Sequence, residues 1–230
     1  MLNTQTATNR YLVIPTFIFV ISILLIFDFS IDFWVSDLLY YLEGGQWALR
    51  DTWITENFLH TGGRTLSVLL ALGLLVLFLL SFLHECLKPY RRGLLYVFLA
   101  ALLGSLIVST LKSLTHRDCP WDLLRYGGLK PELSYFSTML ETGLEKGKCF
   151  PAGHASAGYC WFGFYFFARR FFPEWRMTAF LLPLATGMVF GFDQQLRGAH
   201  FISHDLWSAW ICWVSAFALS FMIKVPNPQS

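Results

Sequence analysis

Charge is scarce in this chain of 230 residues. Its 17 Lys and Arg and 15 Asp and Glu amount to 14% of the sequence, too few to cover the surface of a soluble domain of this length. No Lys/Arg-rich tract and no basic face interleaved with aromatics occurs, so nucleic acid is excluded as a partner. The apolar stretches lack the alternation of strands. There is no internal repeat, no low-complexity linker and no H-E-x-x-H zinc pattern. One domain over 1–230 follows. What is abundant is apolar: 55% hydrophobic and 18% aromatic residues. Such a composition matches a solvent that is itself apolar, the lipid bilayer.

A bilayer core about 30 Å thick takes roughly 20 apolar helical residues, somewhat fewer where the ends snorkel. Runs of that kind fall at about 11–27, 65–83, 93–111, 155–168, 177–192 and 206–223. Backbone groups in lipid must be satisfied within the segment, so the runs are read as helices. The expectation is an all-α, polytopic bundle of six transmembrane helices. Arg10 ahead of the first run imitates a signal peptide, but no small-residue cleavage site follows, so this helix is read as retained. Between the first two runs, "DFWVSDLLYYL" and "DTWITENFLHTGG" read as short amphipathic helices on the outer interface, punctuated by Gly44-Gly45 and Gly62-Gly63.

Lys and Arg near span ends set orientation. With both termini in the cytoplasm, Lys88, Arg91, Arg92, Arg169, Arg170, Arg176 and Lys224 all fall on that side. The opposite side receives Ser36–Arg64, with its acids Asp37, Glu43, Asp51 and Glu56, and Lys112–His154. The second segment breaks the pattern, since it holds Lys112, Arg117, Arg125, Lys130, Lys146 and Lys148. Cations placed against the sorting rule point to an anionic ligand. The implied location is the cytoplasmic (inner) membrane, with the site facing the periplasm or exterior.

Three polar clusters sit at outer span ends, where ionisable groups call for a reason. In "LKSLTHRDCPWDL", Lys112 closes the third span and Arg117 follows; taken singly they read equally as a snorkelling Lys and a solvated loop Arg. In "CFPAGHASAGY", Pro151 suits a helix start and Gly153 permits close backbone approach. The free N–H groups of that start attract anions, with His154 beside them. In "QQLRGAHFISHDLW", Arg197, His200 and His204 recur at helical spacing, next to Asp205. A His pair four apart also has metal-binding spacing, but no third ligand is evident. Together the loops 112–154 and 194–205 offer cations, N–H donors and histidines, a set suited to phosphate chemistry.

On these residues the chain resembles the type-2 phosphatidic acid phosphatase superfamily, whose motifs read K-x6-R-P, P-S-G-H and S-R-x5-H-x3-D. Lys112 and Pro120 keep the first spacing, with Cys119 at the Arg position. Pro151, Gly153 and His154 keep the second, with Ala152 for Ser. His200 keeps the third, with Gln194 at the Arg position and His204 at the Asp position. The resemblance implies a membrane lipid phosphate or pyrophosphate phosphatase acting through a phosphohistidine, with no metal and no cofactor. His200 would be the nucleophile, oriented by His204 or Asp205. His154 would protonate the leaving oxygen and then activate water, while Lys112, Arg117, Arg197 and the Gly153 N–H hold phosphoryl oxygens. Candidate substrates are polyprenyl pyrophosphate, phosphatidylglycerol phosphate, phosphatidate and the phosphates of lipid A. Alternatives are a lipid-to-lipid phosphotransferase, a non-catalytic lipid-binding protein and a metal-dependent hydrolase using His200 and His204. Cys119 and Cys149 flank the first two motifs. They are either a disulfide in an oxidising compartment or two small buried residues.

Overall fold

Lipid-facing apolar side chains dominate the outside of the protein. In a computed structural model, Phe17, Leu24, Leu69 and Leu182 are exposed to 64%, 60%, 60% and 62%, an arrangement stable only with hydrocarbon around it. The structure describes residues 4–132 and 147–222. Residues 133–146, with Lys146, lie outside the described residues, as do Ile223 and Lys224 at the end of the expected last span. Among the described residues the chain is all-α, apart from one isolated bridge between Leu123 and Lys130.

Helix α1 (Asn9–Asp28) ends at a left-handed Ser30, and α2 (Ile31–Leu42) follows at once. Then α3 (Trp53–Leu80), α4 (Arg91–Thr115), α5 (Gly153–Tyr159), α6 (Gly163–Phe171), α7 (Arg176–Leu196) and α8 (Ile202–Met222) complete the fold. A 3-10 turn at Cys160–Phe162 joins α5 to α6. The protein is therefore a polytopic helical membrane protein. Four of its helical stretches are long and apolar enough to cross a bilayer: Asn9–Asp28, Trp53–Leu80, Lys88–Asp122 and Pro173–Leu196. The two remaining expected spans are helical as well. The first is interrupted by the 3-10 turn, and the second opens on His204 and Asp205.

The segment ahead of α3 departs from the expected pattern. "DTWITENFLHTGG" is not a separate interfacial helix. It is a π-helical turn, Trp53–Gly62, running straight into the Gly63–Leu80 helix. Gly62 and Gly63 are helical, so this pair does not break the chain. Gly44 and Gly45 do turn it, at φ of 81° and 77°, a region open to Gly at little cost.

The bundle is held by small residues and aromatics. Helices α5 and α7 approach until their backbones touch: a Cβ on Gly158 would lie 2.3 Å from the Gly187 nitrogen. Packing of this kind lets membrane helices gain dispersion contacts where no hydrophobic effect drives association. Val97, Ala100, Phe162, Phe166, Cys212 and Ala216 fill the centre. On the expected cytoplasmic side, Arg91 is tied to Ser81 and lies 4.0 Å from the Phe82 ring.

Candidate active site

The C-terminal end of α4 and the N-terminal ends of α5 and α8 are stitched together by hydrogen bonds to the backbone. His116, at φ 50°, ends α4. The next residues run beside the approach to α5: the Cys149 N–H donates to the Arg117 carbonyl at 2.9 Å, and the Thr115 hydroxyl donates to the Phe150 carbonyl at 2.5 Å. Cys119 and Cys149 are joined by a disulfide across this seam, with Cα atoms 5.2 Å apart. From the other side, the Ala152 N–H donates to the His204 carbonyl at 3.2 Å and the Ser208 hydroxyl donates to the Ala152 carbonyl at 2.9 Å. Ala152, where the resemblance expects Ser, is thus fully buried with both backbone groups committed to α8.

Lys112 and Gly153 face each other across this junction. A Cβ on Gly153 would stand 3.5 Å from Lys112 Nζ, so the glycine leaves room for the ammonium beside the N-terminus of α5. Among the described residues no carboxylate pairs with Lys112. Other cations of the same loop are committed. Lys130 pairs with Asp118 at 2.5 Å, and Arg125 pairs with Asp37 at 2.5 Å and with Glu132 at 3.2 Å. The Arg125 guanidinium, with help from the Tyr126 hydroxyl, holds the Asp37 carboxyl below the usual carboxylate range. So Arg125 and Lys130 fix loops, while the Lys112 ammonium faces Gly153 and acts on the histidines.

The two histidines of the third cluster meet edge to edge. His200 Nδ1 and His204 Nδ1 are 3.4 Å apart, and both imidazoles reach the Cys149 carbonyl. With its Nδ1 turned to His204, His200 has Nε2 as the nitrogen to offer for chemistry. Burial pushes the His200 imidazole well below its ordinary pKa, and Lys112 and His204 add to the effect. It therefore stands neutral, with a lone pair, at neutral pH.

Asp205 does not join this pair. Its carboxylate accepts a hydrogen bond from Gln195 Nε2 at 2.5 Å and packs against Gly191, between α7 and α8. Asp205 lies in the first turn of α8 while His200 precedes the helix, and the two side chains turn to different neighbours, Gln195 and His204. Arg197 is buried, with Nε donating to the Arg50 carbonyl at 2.7 Å and its guanidinium paired with Glu56. The charge of Arg117 bears on His204. Lys112, Gly153, His154, His200 and His204 thus come together, with Arg117 adjoining. Arg197 stands at the edge, held by an acid, and Asp205 stands apart.

Several contributors carry no sequence signal of their own. His60, on the π-helical turn, stacks on His154 with ring centroids 4.5 Å apart. Glu56 was one acid among several in its segment. Asp32 reads as the close of the first span, yet its carboxylate accepts from the Ser203 N–H at 2.9 Å and hydroxyl at 2.5 Å, capping the start of α8 from a distant helix. The Cys149 carbonyl is a backbone group, visible only once the loop is folded.

Two cavities lie along α3. One of about 490 Å³ is lined by Glu56, His60, Thr61, Arg64 and Thr65. The other, about 420 Å³ and apolar, lies between α3, α6 and α7 and is lined by Leu66, Leu70, Trp161, Phe164, Leu182 and Phe190 among others. Phe190, at one end of the apolar cavity, also lies against the His154 ring at 4.8 Å. Among the described residues no group of three or more His, Cys, Asp and Glu side chains is arranged to hold a metal.

A family model described as the PAP2 superfamily matches residues 93–226, more than half of the chain. No curated protein and no solved structure matches it.

Proposed function

The chain belongs to the PAP2 superfamily, and from that premise we propose that it is a membrane lipid phosphatase. It would hydrolyse a phosphate monoester or pyrophosphate of a lipid at the outer face, through a phosphohistidine and without a metal. All six helical stretches would cross the membrane, with both termini cytoplasmic. The observation that carries this reading is the Lys112 ammonium against Gly153, with no carboxylate partner among the described residues, beside a buried neutral His200. An ammonium and the N–H groups of a helix start, preorganised in a dry pocket, stabilise the charge that builds on phosphoryl oxygens. The apolar cavity ending at Phe190 suits the hydrocarbon part of the substrate.

In the first step His200 Nε2 attacks phosphorus. The N–P bond forms as the bond to the lipid oxygen breaks; the proton that this oxygen takes comes from the bound phosphate monoanion and is relayed through His154 Nδ1. In the second step the neutral His154 takes a proton from water as the water oxygen attacks phosphorus and the N–P bond breaks. His204 and the Cys149 carbonyl hold the Nδ1 side of His200 throughout, in the position that a carboxylate fills in better-known histidine devices.

The test is a phosphate-release screen over polyprenyl pyrophosphate, phosphatidylglycerol phosphate, phosphatidate and lipid A phosphates, comparing wild type with His200→Ala and His200→Gln. Loss of a covalent nucleophile is expected to lower turnover about a thousandfold or more on whichever lipid is accepted. Release that survives both substitutions removes the mechanism. No release from any lipid phosphate favours a non-catalytic role.

A further inference from the structure

One turn of α3, Leu59–Gly63, lies ahead of the region matched by the family model, yet it touches the His154 ring twice and makes room for a third contact. First, His154 Nε2 stands 3.2 Å from the Leu59 carbonyl. A carbonyl can only accept, so Nε2 carries the proton and the neutral ring has its lone pair on Nδ1. Second, the His60 ring stacks on His154 at 4.5 Å with 29° between planes. Third, Phe190 of α7 lies against the same ring at 4.8 Å and 33°, and Gly63 makes the room for it. A Cβ on Gly63 would sit 2.5 Å from Phe190 Cζ. The turn is π-helical up to Gly62, a wide geometry that recurs at functional sites.

We infer that this turn belongs to the active site and that His60 is a positioning residue for His154. It holds the ring so that Nδ1, and not Nε2, carries the proton traffic of both steps. The inference rests on the lipid phosphatase reading above. A ring held by two near-parallel neighbours and one hydrogen bond has little freedom to tilt, and acid–base steps depend on placement to within about an ångström. The Nδ1 atom of His60 is itself buried with no hydrogen-bond partner among the described residues. What the fold takes from His60 is therefore its flat face, and a phenyl ring supplies the same face without an unpaired nitrogen.

The experiment is steady-state turnover of a lipid phosphate accepted by the wild type, with His60→Ala, His60→Phe and Gly63→Ala, together with histidine-selective NMR of the His154 tautomer. His60→Ala is expected to lower kcat roughly 10- to 100-fold with KM within about threefold. His60→Phe is expected to restore kcat to within about threefold of wild type. Gly63→Ala, which pushes Phe190 off its seat, is expected to lower kcat with little change in KM. Where His60→Ala fails to fold, the Phe variant, Gly63→Ala and the tautomer still decide the matter. Full activity of His60→Ala, or a His60→Phe variant as slow as the alanine form, overturns the inference, as does a neutral His154 ring whose single proton sits on Nδ1 in the resting protein. The tautomer is read without turnover. An inactive wild type with the Nε2–H form therefore counts against the phosphatase reading alone.

Discussion

His200 and His204 share one carbonyl, that of Cys149, with their Nδ1 atoms 3.4 Å apart. The spacing of four residues made His204 the natural neighbour of His200, and the fold turns Asp205 toward Gln195 instead. Under the proposed mechanism His204 would serve the nucleophile by direction, not by contact with phosphate. Replacing it with Ala is expected to reduce kcat about 10- to 1000-fold, the range of a lost orienting partner, with KM within a few-fold. Asp205→Asn is expected to cost far less in kcat, because its carboxylate faces α7. Steady-state kinetics on the accepted lipid check both. Equal losses in the two variants would place Asp205 in the catalytic unit after all.

The buried state of His200 has a consequence for pH. Only the neutral ring can attack phosphorus, and its pKa is lowered by burial, Lys112 and His204. Activity lost to protonation of this group therefore appears only as pH falls below the ordinary imidazole value of about 6.5. The acid limb of kcat/KM, which reports the free enzyme, is expected below that value. Lys112→Met removes a cation that disfavours the imidazolium, and is expected to move the limb toward higher pH as well as to raise KM. A wild-type limb at or above 6.5 would show that His200 is not the group titrating.

Much of the architecture was legible because membrane helices announce themselves: runs such as 65–83 and 93–111 carry no charge, and among the described residues each of the six expected stretches is largely helical. The motif residues Lys112, Gly153, His154 and His200 were legible because their spacing is tied to helix ends. What stayed hidden lies in side chains that act across the bundle. His60 and Glu56 sit in a segment whose aromatic and acidic pattern reads as interfacial, and nothing local says that its turn leans on α5. Arg197 read as a free phosphate ligand, since the sequence cannot show that Glu56, more than a hundred residues earlier, reaches it. Among the loop cations, Arg125 and Lys130 likewise gained partners, Asp37 and Asp118, that only the fold brings near.

The Cys119–Cys149 link spans a sequence separation of 30 and anchors the carbonyl on which both histidines converge. A loop of that size, closed covalently, contributes about 3–4 kcal/mol by chain entropy. Reduction, or Cys149→Ser, is expected to lower both thermal stability and kcat, and kcat more than KM. Alkylation of unreduced protein should modify Cys86, which is exposed, while leaving Cys119 and Cys149 untouched. Labelling of both under denaturing, non-reducing conditions would show that the bond is not made.

Cys86 also provides a handle on topology. It lies between α3 and α4, on the side expected to be cytoplasmic, and Leu129, exposed to 82%, lies in the segment expected outside. In intact cells an impermeant maleimide is expected to react with a Leu129→Cys variant and to reach Cys86 only after the membrane is opened. Reaction at both positions in intact cells would break the assigned orientation and, with it, the outer-face site.

Arg197 gives the final prediction. Its guanidinium is bound to the Glu56 carboxylate and the Arg50 carbonyl, while its charge still acts on His154. An acid at the rim of an anion pocket works against substrate in two ways, by occupying an arginine and by repelling phosphate. The Glu56 side chain is 42% exposed, so solvent already screens part of this effect. Glu56→Gln keeps the shape and removes the charge. It is expected to lower KM for the lipid phosphate a few-fold and to tighten inhibition by inorganic phosphate, with kcat little altered. Arg197→Gln in the same background should abolish the gain, because the cation that profits is gone. If Glu56→Gln instead raises KM, the ion pair is what aims Arg197 at the substrate, and Glu56 belongs among the groups that build the pocket.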